Sequence, residues 1–473
     1  MSRLGFPLWA VLAVLCLLVA VGRPASFAAP PSRDMGQYMY VGTVVLEGGT
    51  PYVDAANNKG PANQLLWAGV RAVSGRSPLA PRLVLVLATA LGALALALWV
   101  AGHLGRAAGL LAGGIYALLS SADGFEAYDP NNAQFGTPVM LAAVALAAVP
   151  RRAPAALAGA AAAFAFWMNP AFAFAAPFVA WQLWAAGPAR AGRLAAAALG
   201  ALAVSAVLLA WVGAGGGLDD MAIQVFGQAE RALSPDVTAS ATPPPTVGAA
   251  PLQFLLDLPE STLWIAGLVA AMVAARSRAH RVLALACVLW LLAWFTRVEI
   301  ASYAFPNQYV PALAGIAAAL AIAIASLWGG ARRDRAALSA LVVAPLAWLA
   351  VAAPQLTSLG IPADERGRVG AEEAAAFVRA NTAPGETLAV AGYDPQIQWL
   401  ADRRSPSRFF DSFGLSNRDA YVDERRRALR ERPPAAVVAL IDTLLDPDLD
   451  ALVREEGYRL AYERPTGRVW LRP

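Results

Sequence analysis

Polar side chains that could carry out chemistry lie in four short stretches of an otherwise apolar chain. A carboxylate can accept a proton from a hydroxyl group, and cations can stabilise negative charge that develops on a phosphate. Each stretch holds at least one such group, with tyrosines or amides beside it. In chain order, the candidate residues are Asp34 and Tyr38; Asp54 and Lys59; Glu126, Asp129, Asn132 and Gln134; and Arg297, Tyr303, Asn307 and Tyr309.

Lys59 stands out because it is the only lysine, whereas arginine occurs throughout the chain. An ammonium is a compact point charge that a guanidinium does not reproduce. This uniqueness favours a specific role, namely pairing with a phosphate. The alternative is an ordinary lysine whose apolar stem lies along a membrane interface.

Each of the other candidates also has a purely structural interpretation. Asp34 could cap a helix that begins at residue 35. Arg297 could anchor its segment among lipid headgroups, and Tyr303 and Tyr309 could belong to an interfacial aromatic belt. The acidic stretch 123–129 could be a solvated loop or a site for a divalent cation. The sequence assigns no cofactor beyond this open question of a cation.

The composition places these residues in a polytopic membrane protein. Of 473 residues, 58% are hydrophobic and 15% charged, and the mean hydropathy is +0.50, whereas soluble proteins carry about 25% charged residues. The apolar runs are comparable in length to the ~20 residues that cross a bilayer. They predict about eleven transmembrane helices, at 5–22, 80–102, 107–120, 135–150, 153–168, 171–187, 194–214, 260–276, 281–296, 309–328 and 336–353.

Arginines mark alternate connections, which predicts a cytoplasmic N-terminus and an extracytoplasmic C-terminal segment. The net charge of +4 and the pI near 9.2 reflect this topology, so they do not indicate nucleic-acid binding. The marker residues are Arg3, Arg106, Arg151, Arg152, Arg190, Arg193, Arg276, Arg278, Arg281, Arg332, Arg333 and Arg335.

The first run reads as a retained membrane anchor, with a signal peptide cleaved near residue 28 as the alternative. Cys16 and Cys287 fall in apolar runs, so a disulfide framework is not expected. His103 and His280 fall on predicted cytoplasmic connections. Chemistry on the outer face must therefore use carboxylates, cations and tyrosines.

Two domains are expected: a membrane module over 1–353, with its first outer loop at 23–79, and an extracytoplasmic α/β domain over 354–473. Short helices are expected at 34–47 and 61–73. In the second, Leu65, Leu66, Val70 and Val73 predict an amphipathic helix on the membrane surface. In the C-terminal segment, helices at 370–381, 418–431 and 447–456 alternate with strands at 387–391, 435–441, 458–463 and 468–472, which indicates a mixed sheet.

The stretches "RDMGQYMYVGTVVLEGGTPYVD" and "NNKGPANQLLW" resemble the first outer loop of polytopic glycosyltransferases that use polyprenyl-phosphate sugars. These are GT-C fold enzymes, including the protein mannosyltransferase and aminoarabinose transferase groups. "YAFPNQYVPALAGIAAAL" and "VAGYDPQIQWLADRRSPSRFF" resemble later parts of the same family. The piece "GYDPQIQW" reads either as a structural turn or as a substrate contact.

The resemblance implies an inverting hexosyl or pentosyl transferase on the outer face of a bacterial inner membrane. Asp34 matches the catalytic Asp, and Lys59 with Gly60 and Pro61 matches the lysine turn; Lys59, together with Arg297, would bind the donor phosphate. The expected partners are a polyprenyl-phosphate sugar, the lipid bilayer and an acceptor that is a glycan, a lipid or a protein.

Two alternatives remain open. Asn132-Ala133-Gln134 stands where many members carry an acidic residue, and Asn307 stands where they often have His. These departures are compatible with a catalytically inactive GT-C-like scaffold. A polytopic transporter is the other alternative, although the predicted spans hold almost no ionisable residue at mid-membrane depth.

Overall fold

The computed structural model describes most of the chain, namely residues 6–23, 26–27, 29–121, 130–227, 261–276, 280–300, 310–328, 366–412, 419–440 and 445–473. Most of the predicted loop 216–259 and the whole apolar run 336–353 lie outside these ranges.

The chain divides into two compact units, each assembled from three segments. The first unit contains 1–27, 83–206 and 231–359, and the second contains 28–82, 207–230 and 360–473. The second unit thus combines most of the predicted first outer loop with the C-terminal segment. The division into two domains at residue 353 stays a prediction.

The first unit is helical. Small residues let its helices pack closely: the Cα of Gly159 lies against the carbonyl of Ala197, and that of Gly200 against the carbonyl of Ala156. Such contacts between backbones are typical of helices that associate in a membrane. The helices that lie wholly or largely in this unit are α1 (Leu8–Val21), α4 (Leu79–Leu104), α5 (Arg106–Leu119), α6 (Asn132–Ala147), α7 (Arg152–Met168), α8 (Ala176–Ala185), α9 (Arg190–Ala214), α11 (Ser261–Ala275), α12 (Arg281–Ile300) and α13 (Val310–Trp328).

Within the described ranges, two helices, α4 and α9, are long and apolar enough to cross a membrane. Five shorter apolar helices accompany them, at Leu8–Val21, Arg106–Leu119, Asn132–Ala147, Arg281–Trp294 and Val310–Ser326. The run 171–187, predicted as one span, is divided into a 3₁₀ turn at Pro170–Ala175 and α8. The total of eleven spans stays a prediction.

The second unit begins with two packed helices, α2 (Arg33–Leu46) and α3 (Pro61–Ser74). Pro61 occupies the first position of α3, where its missing N–H has no cost. Both helices lie where the sequence predicts them, but the predicted apolar face of α3 is divided. Leu65 and Val73 are exposed, whereas Val70 is buried with Trp67 against the rest of the unit.

A four-stranded mixed sheet occupies the C-terminal part of the second unit, in the order β1-β2-β4-β3. β1 pairs with β2 in parallel, and the other pairs are antiparallel. β1 and β2 are fully buried, as their Leu, Val and Ala residues require. The elements are α14 (Arg366–Asn381), β1 (Leu388–Val390), α15 (Gln396–Ala401), α16 (Asp419–Glu431), β2 (Ala436–Leu440), α17 (Pro447–Glu455), β3 (Arg459–Arg464) and β4 (Gly467–Leu471).

Arg408 joins the three segments of the second unit. Its guanidinium pairs with Asp220 of the short helix α10 (Leu218–Met221) at 2.6 Å and forms a fork with Glu424 of α16 at 2.7 and 2.9 Å. It also donates to the carbonyl of Tyr52 at 3.3 Å. Neighbouring carboxylates raise the pKa of Arg408, although its burial acts in the opposite direction. The cation therefore holds the loop before α3 in place.

Candidate active site

The Asp34 carboxylate lies in the first turn of α2, and Ser32 is the residue that caps this helix. The Ser32 hydroxyl accepts the backbone N–H of Met35 at 3.0 Å. The interpretation of Asp34 as a helix cap is therefore wrong. Asp34 is only partly buried, and its charge lies at the positive end of the helix dipole, which favours a carboxylate.

Two tyrosine hydroxyls contact the Asp34 carboxylate, one on each oxygen. Tyr393, from the loop after β1, donates to Oδ1 at 2.9 Å. Tyr38, one turn further along α2, faces Oδ2 at 3.4 Å. The Oδ1 contact is a good charge-assisted hydrogen bond, whereas the Oδ2 contact is long for an O–H donor. Oδ2 is thus the less strongly engaged oxygen.

A second carboxylate, Asp411, belongs to the same network. Gln37 Nε2 donates to Asp411 Oδ2 at 3.4 Å, and Gln37 Oε1 lies 3.3 Å from the Tyr393 hydroxyl. Asp411 is buried. The sequence lacks an acidic residue at Asn132-Ala133-Gln134, and the structure brings a different carboxylate, from the C-terminal segment, into the network of Asp34.

The protonation state of Tyr393 follows from these surroundings. Burial, followed by the charges of Asp34 and Asp411, raises the pKa of its phenol well above the ordinary value. Both effects disfavour the phenolate. Tyr393 therefore keeps its proton and acts as a hydrogen-bond donor towards Asp34.

The loop after β1 is fixed onto the first turn of α2 by an ion pair and a glycine. Arg33 Nε pairs with the buried Asp394 at 3.1 Å, and Gln396 Nε2 donates to the same Asp394 oxygen at 3.0 Å. A Cβ at Gly36 would overlap the backbone of Gln396. The stretch "GYDPQIQW" is thus a structural element that delivers Tyr393 to Asp34; whether it also contacts a substrate stays open.

Lys59 lies in the turn that leads into α3, and the backbone of this turn is held on both sides. The Lys59 N–H donates to Asn57 Oδ1 at 2.7 Å, and the Tyr52 hydroxyl donates to the Lys59 carbonyl at 2.8 Å. Gln224 accepts the N–H of Asn57 at 2.6 Å. The backbone of the turn is therefore held by hydrogen bonds to its N–H and carbonyl groups.

Asp34 and the Lys59 turn each lie at the N-terminal end of one helix of the packed α2–α3 pair. The rings of Tyr38 and Trp67 are 5.3 Å apart, and Arg71 Nε donates to Thr43 Oγ1 at 2.9 Å. The N-terminal end of a helix is the positive end of its dipole. Each of the two groups therefore lies at a helix end that favours anions.

Asp54 forms a local turn. Its Oδ2 accepts the N–H of Thr50 at 2.6 Å, and its side chain is exposed. This hydrogen bond gives Asp54 a structural role in the turn. Its predicted role in binding the donor or the acceptor stays a prediction.

Asn132 and Gln134 lie at the start of α6 in the first unit and are both buried. The neighbouring Asn131 caps α6 by accepting the N–H of Gln134 at 3.1 Å. Among the described residues, neither the amide oxygen nor the amide nitrogen of Asn132 has a hydrogen-bond partner. Their predicted role in substrate binding is not tested by these contacts.

Five candidates, Glu126, Asp129, Tyr303, Asn307 and Tyr309, lie outside the described residues. Arg297 lies on α12, but its side chain is not described either. In the part of the chain that is described, no group of three or more His, Cys, Asp or Glu residues could hold a metal ion. The role of a divalent cation therefore stays open.

Sequence reasoning missed Tyr393, Gln37 and Asp411 as neighbours of Asp34. The signal available for Tyr393 was its place directly after a buried strand, where side chains of α/β proteins commonly form sites. Gln37 lies one turn from Asp34, but nothing in the sequence pairs it with Asp411, which is 374 positions away.

Comparison with solved structures identifies the fold. ArnT from Cupriavidus metallidurans, bound to undecaprenyl phosphate, matches with a TM-score of 0.65 and 15% sequence identity, over 98% of this chain and 97% of that one. The oligosaccharyltransferase AglB from Archaeoglobus fulgidus, in complex with an inhibitory peptide and a dolichol-phosphate, matches with a TM-score of 0.56 and 13% identity, over 92% of this chain and 69% of that one.

The chain has the GT-C fold. The resemblance seen in the sequence is thus confirmed at the level of the fold, which is that of polytopic membrane proteins. No protein-family pattern and no curated protein sequence matches the chain. At 15% identity the likeness of this GT-C chain to ArnT concerns the fold, and substrate and chemistry must be argued from its own residues.

Proposed function

We propose that this chain is an inverting glycosyltransferase that moves a sugar from a polyprenyl phosphate to an acceptor hydroxyl, on the outer face of a bacterial inner membrane. The observation that carries the proposal is the position of Asp34: a partly exposed carboxylate at a helix N-terminus, held by two tyrosines, in a GT-C fold. The neighbour ArnT was solved with undecaprenyl phosphate bound, which supports a lipid-linked donor.

In this reaction Asp34 is the general base. The acceptor hydroxyl oxygen attacks the anomeric carbon, its proton passes to Asp34, and the bond from that carbon to the phosphate oxygen breaks. The polyprenyl phosphate leaves with the electron pair. A single displacement of this kind inverts the configuration at the anomeric carbon.

Lys59 stabilises the departing phosphate. It lies in the turn directly before the N-terminus of α3, so its ammonium adds to a helix end that already favours anions. Arg297 is a second candidate cation for the same phosphate. In this division of roles, the base lies in the first turn of α2 and the leaving-group cation in the turn before α3.

The test measures donor binding and sugar transfer by the detergent-purified full chain, using a short-chain polyprenyl-phosphate sugar. Asp34→Asn should bind the donor as wild type does but lose at least a hundredfold in turnover, because general-base catalysis contributes roughly 10²–10⁴-fold. Asp423→Asn is the matched control, since Asp423 is an exposed carboxylate that pairs with Arg426 on α16. Absence of donor binding by the wild type would overturn the proposal and favour a scaffold or a transporter.

A further inference from the structure

We infer that Tyr393 is a positioning residue that selects which oxygen of Asp34 accepts the proton, an inference that rests on the proposed function. Nothing in the sequence pairs these residues, which are 359 positions apart. The structure brings the Tyr393 hydroxyl to 2.9 Å from Asp34 Oδ1.

The two Asp34 oxygens are not equivalent. Oδ1 accepts a short hydrogen bond from Tyr393, whereas Oδ2 faces Tyr38 at 3.4 Å. A hydrogen bond at 2.9 Å to an ionised oxygen fixes the plane of the carboxylate. Oδ2 can still accept a hydrogen bond. The hydroxyl of the sugar acceptor is therefore directed to Oδ2, and the hydroxyl proton is transferred to that oxygen.

Tyr393 can hold this position because its own loop is rigid. The Arg33–Asp394 ion pair and the contact of Gly36 with the Gln396 backbone fix the residues that directly follow the tyrosine. Burial and the charges of Asp34 and Asp411 keep the phenol protonated. Tyr393 consequently donates to Asp34 and does not compete with it as a base.

Gln37 connects this contact to a second carboxylate. Its amide nitrogen donates to Asp411 at 3.4 Å, which turns its amide oxygen towards the Tyr393 hydroxyl at 3.3 Å. Both Gln37 Oε1 and Asp34 Oδ1 lie within reach of the phenol proton, and the distance to the Asp34 carboxylate is the shorter of the two. Asp411 thus acts at a distance by fixing the orientation of Gln37.

The test compares Tyr393→Phe with wild type in the full chain. The variant should lose roughly tenfold to a hundredfold in kcat, because small misplacements of a reacting group have effects of that size. The KM for the donor and the stoichiometry of undecaprenyl phosphate binding should stay within about twofold, as expected when ground-state binding is unaffected. Tyr462→Phe is the matched control, since the Tyr462 hydroxyl also donates to a carboxylate, Glu373, at 3.0 Å, on α14.

A thermal double-mutant cycle tests the contact independently of activity. Asp34→Ala and Tyr393→Phe should together lower Tm by less than the sum of the two single changes, because each removes the same hydrogen bond. Additive Tm changes in the cycle would overturn the inference. An unchanged kcat in Tyr393→Phe would also overturn it, as would a fall in kcat that is matched by an equal fall in the stoichiometry of undecaprenyl phosphate binding. A wild type without turnover would instead contradict the proposed function, while the cycle would still report on the Asp34–Tyr393 contact.

Discussion

At the residue scale, the lone lysine is the group whose role depends most directly on charge. The backbone of the Lys59 turn is held by Asn57 and Tyr52, so the side chain can be changed without removing those contacts. A substitution of the ammonium therefore leaves these two backbone hydrogen bonds available.

Lys59→Met should therefore weaken undecaprenyl phosphate binding by roughly tenfold to a hundredfold. A hydrogen bond to a charged group contributes about 1.5–3 kcal/mol, and each 1.4 kcal/mol is about tenfold in Kd. Lys59→Arg should recover part of the affinity, since the charge is kept but the planar guanidinium differs in shape. The measurement is a titration of the purified protein with undecaprenyl phosphate, followed by intrinsic fluorescence.

Arg404→Met is the control for a general loss of positive charge, because Arg404 pairs with Glu47 at 2.7 Å elsewhere in the same unit. Equal weakening by both variants would show that net charge, and not Lys59 itself, attracts the phosphate. An unchanged Kd in Lys59→Met would return this lysine to the role of an ordinary interfacial residue.

At the element scale, local patterns predicted the helices and strands well, but not the contacts between distant segments. The helix expected at 34–47 is Arg33–Leu46, and the strand expected at 435–441 is Ala436–Leu440. Both follow from local signals, a capping serine in one case and a run of β-branched and small apolar residues in the other. The predicted apolar face of α3 is matched only in part: Leu65 and Val73 are exposed, whereas Val70 is buried with Trp67. Periodicity alone does not show which side of a helix has a partner.

The Asp34 site shows the same limit. Asp34 and Lys59 were singled out by residue type and predicted topology, and their roles by the family resemblance. Tyr393 and Asp411, in contrast, join the network of Asp34 only through folding of the C-terminal segment onto α2. The contact between the C-terminal segment and α2 depends on glycine at position 36, because the Gln396 backbone packs directly against the helix there. From the sequence alone, such a glycine is only a mildly unfavourable residue in a helix.

Gly36→Ala should therefore damage the site, while Gly69→Ala should not. The Gly36 Cβ would meet the Gln396 backbone, and overpacking of this kind costs about 1–3 kcal/mol and would displace Tyr393. Gly69 is exposed on α3 with no atom within 4 Å of its added Cβ, so alanine there should stabilise the helix by about 0.5–1 kcal/mol. Thermal unfolding and sugar transfer, measured side by side, distinguish the two variants.

A fall in Tm and in turnover for Gly36→Ala alone is the expected pattern. Loss in both variants would point to a general intolerance of the helix pair. Full activity in Gly36→Ala would mean that the loop after β1 can move without affecting Asp34.

At the scale of the whole molecule, the distribution of arginines predicts which face each segment occupies, and this orientation decides where the proposed chemistry takes place. Asp34, Lys59 and the C-terminal sheet belong to one compact unit, so they must share a face of the membrane. The connection between α8 and α9, which ends at Arg190, the first residue of α9, is predicted to lie on the opposite, cytoplasmic face.

Single cysteines can test this orientation because the natural ones give little background: Cys287 is buried and Cys16 is partly buried on α1. Glu455→Cys, exposed at the end of α17, should react in intact spheroplasts with a maleimide that does not cross membranes. Ala189→Cys, exposed before α9, should react only after the membrane is opened. The reverse labelling pattern would place Asp34 in the cytoplasm, where the acceptor would have to be a cytoplasmic hydroxyl and the assignment to the outer face would be wrong.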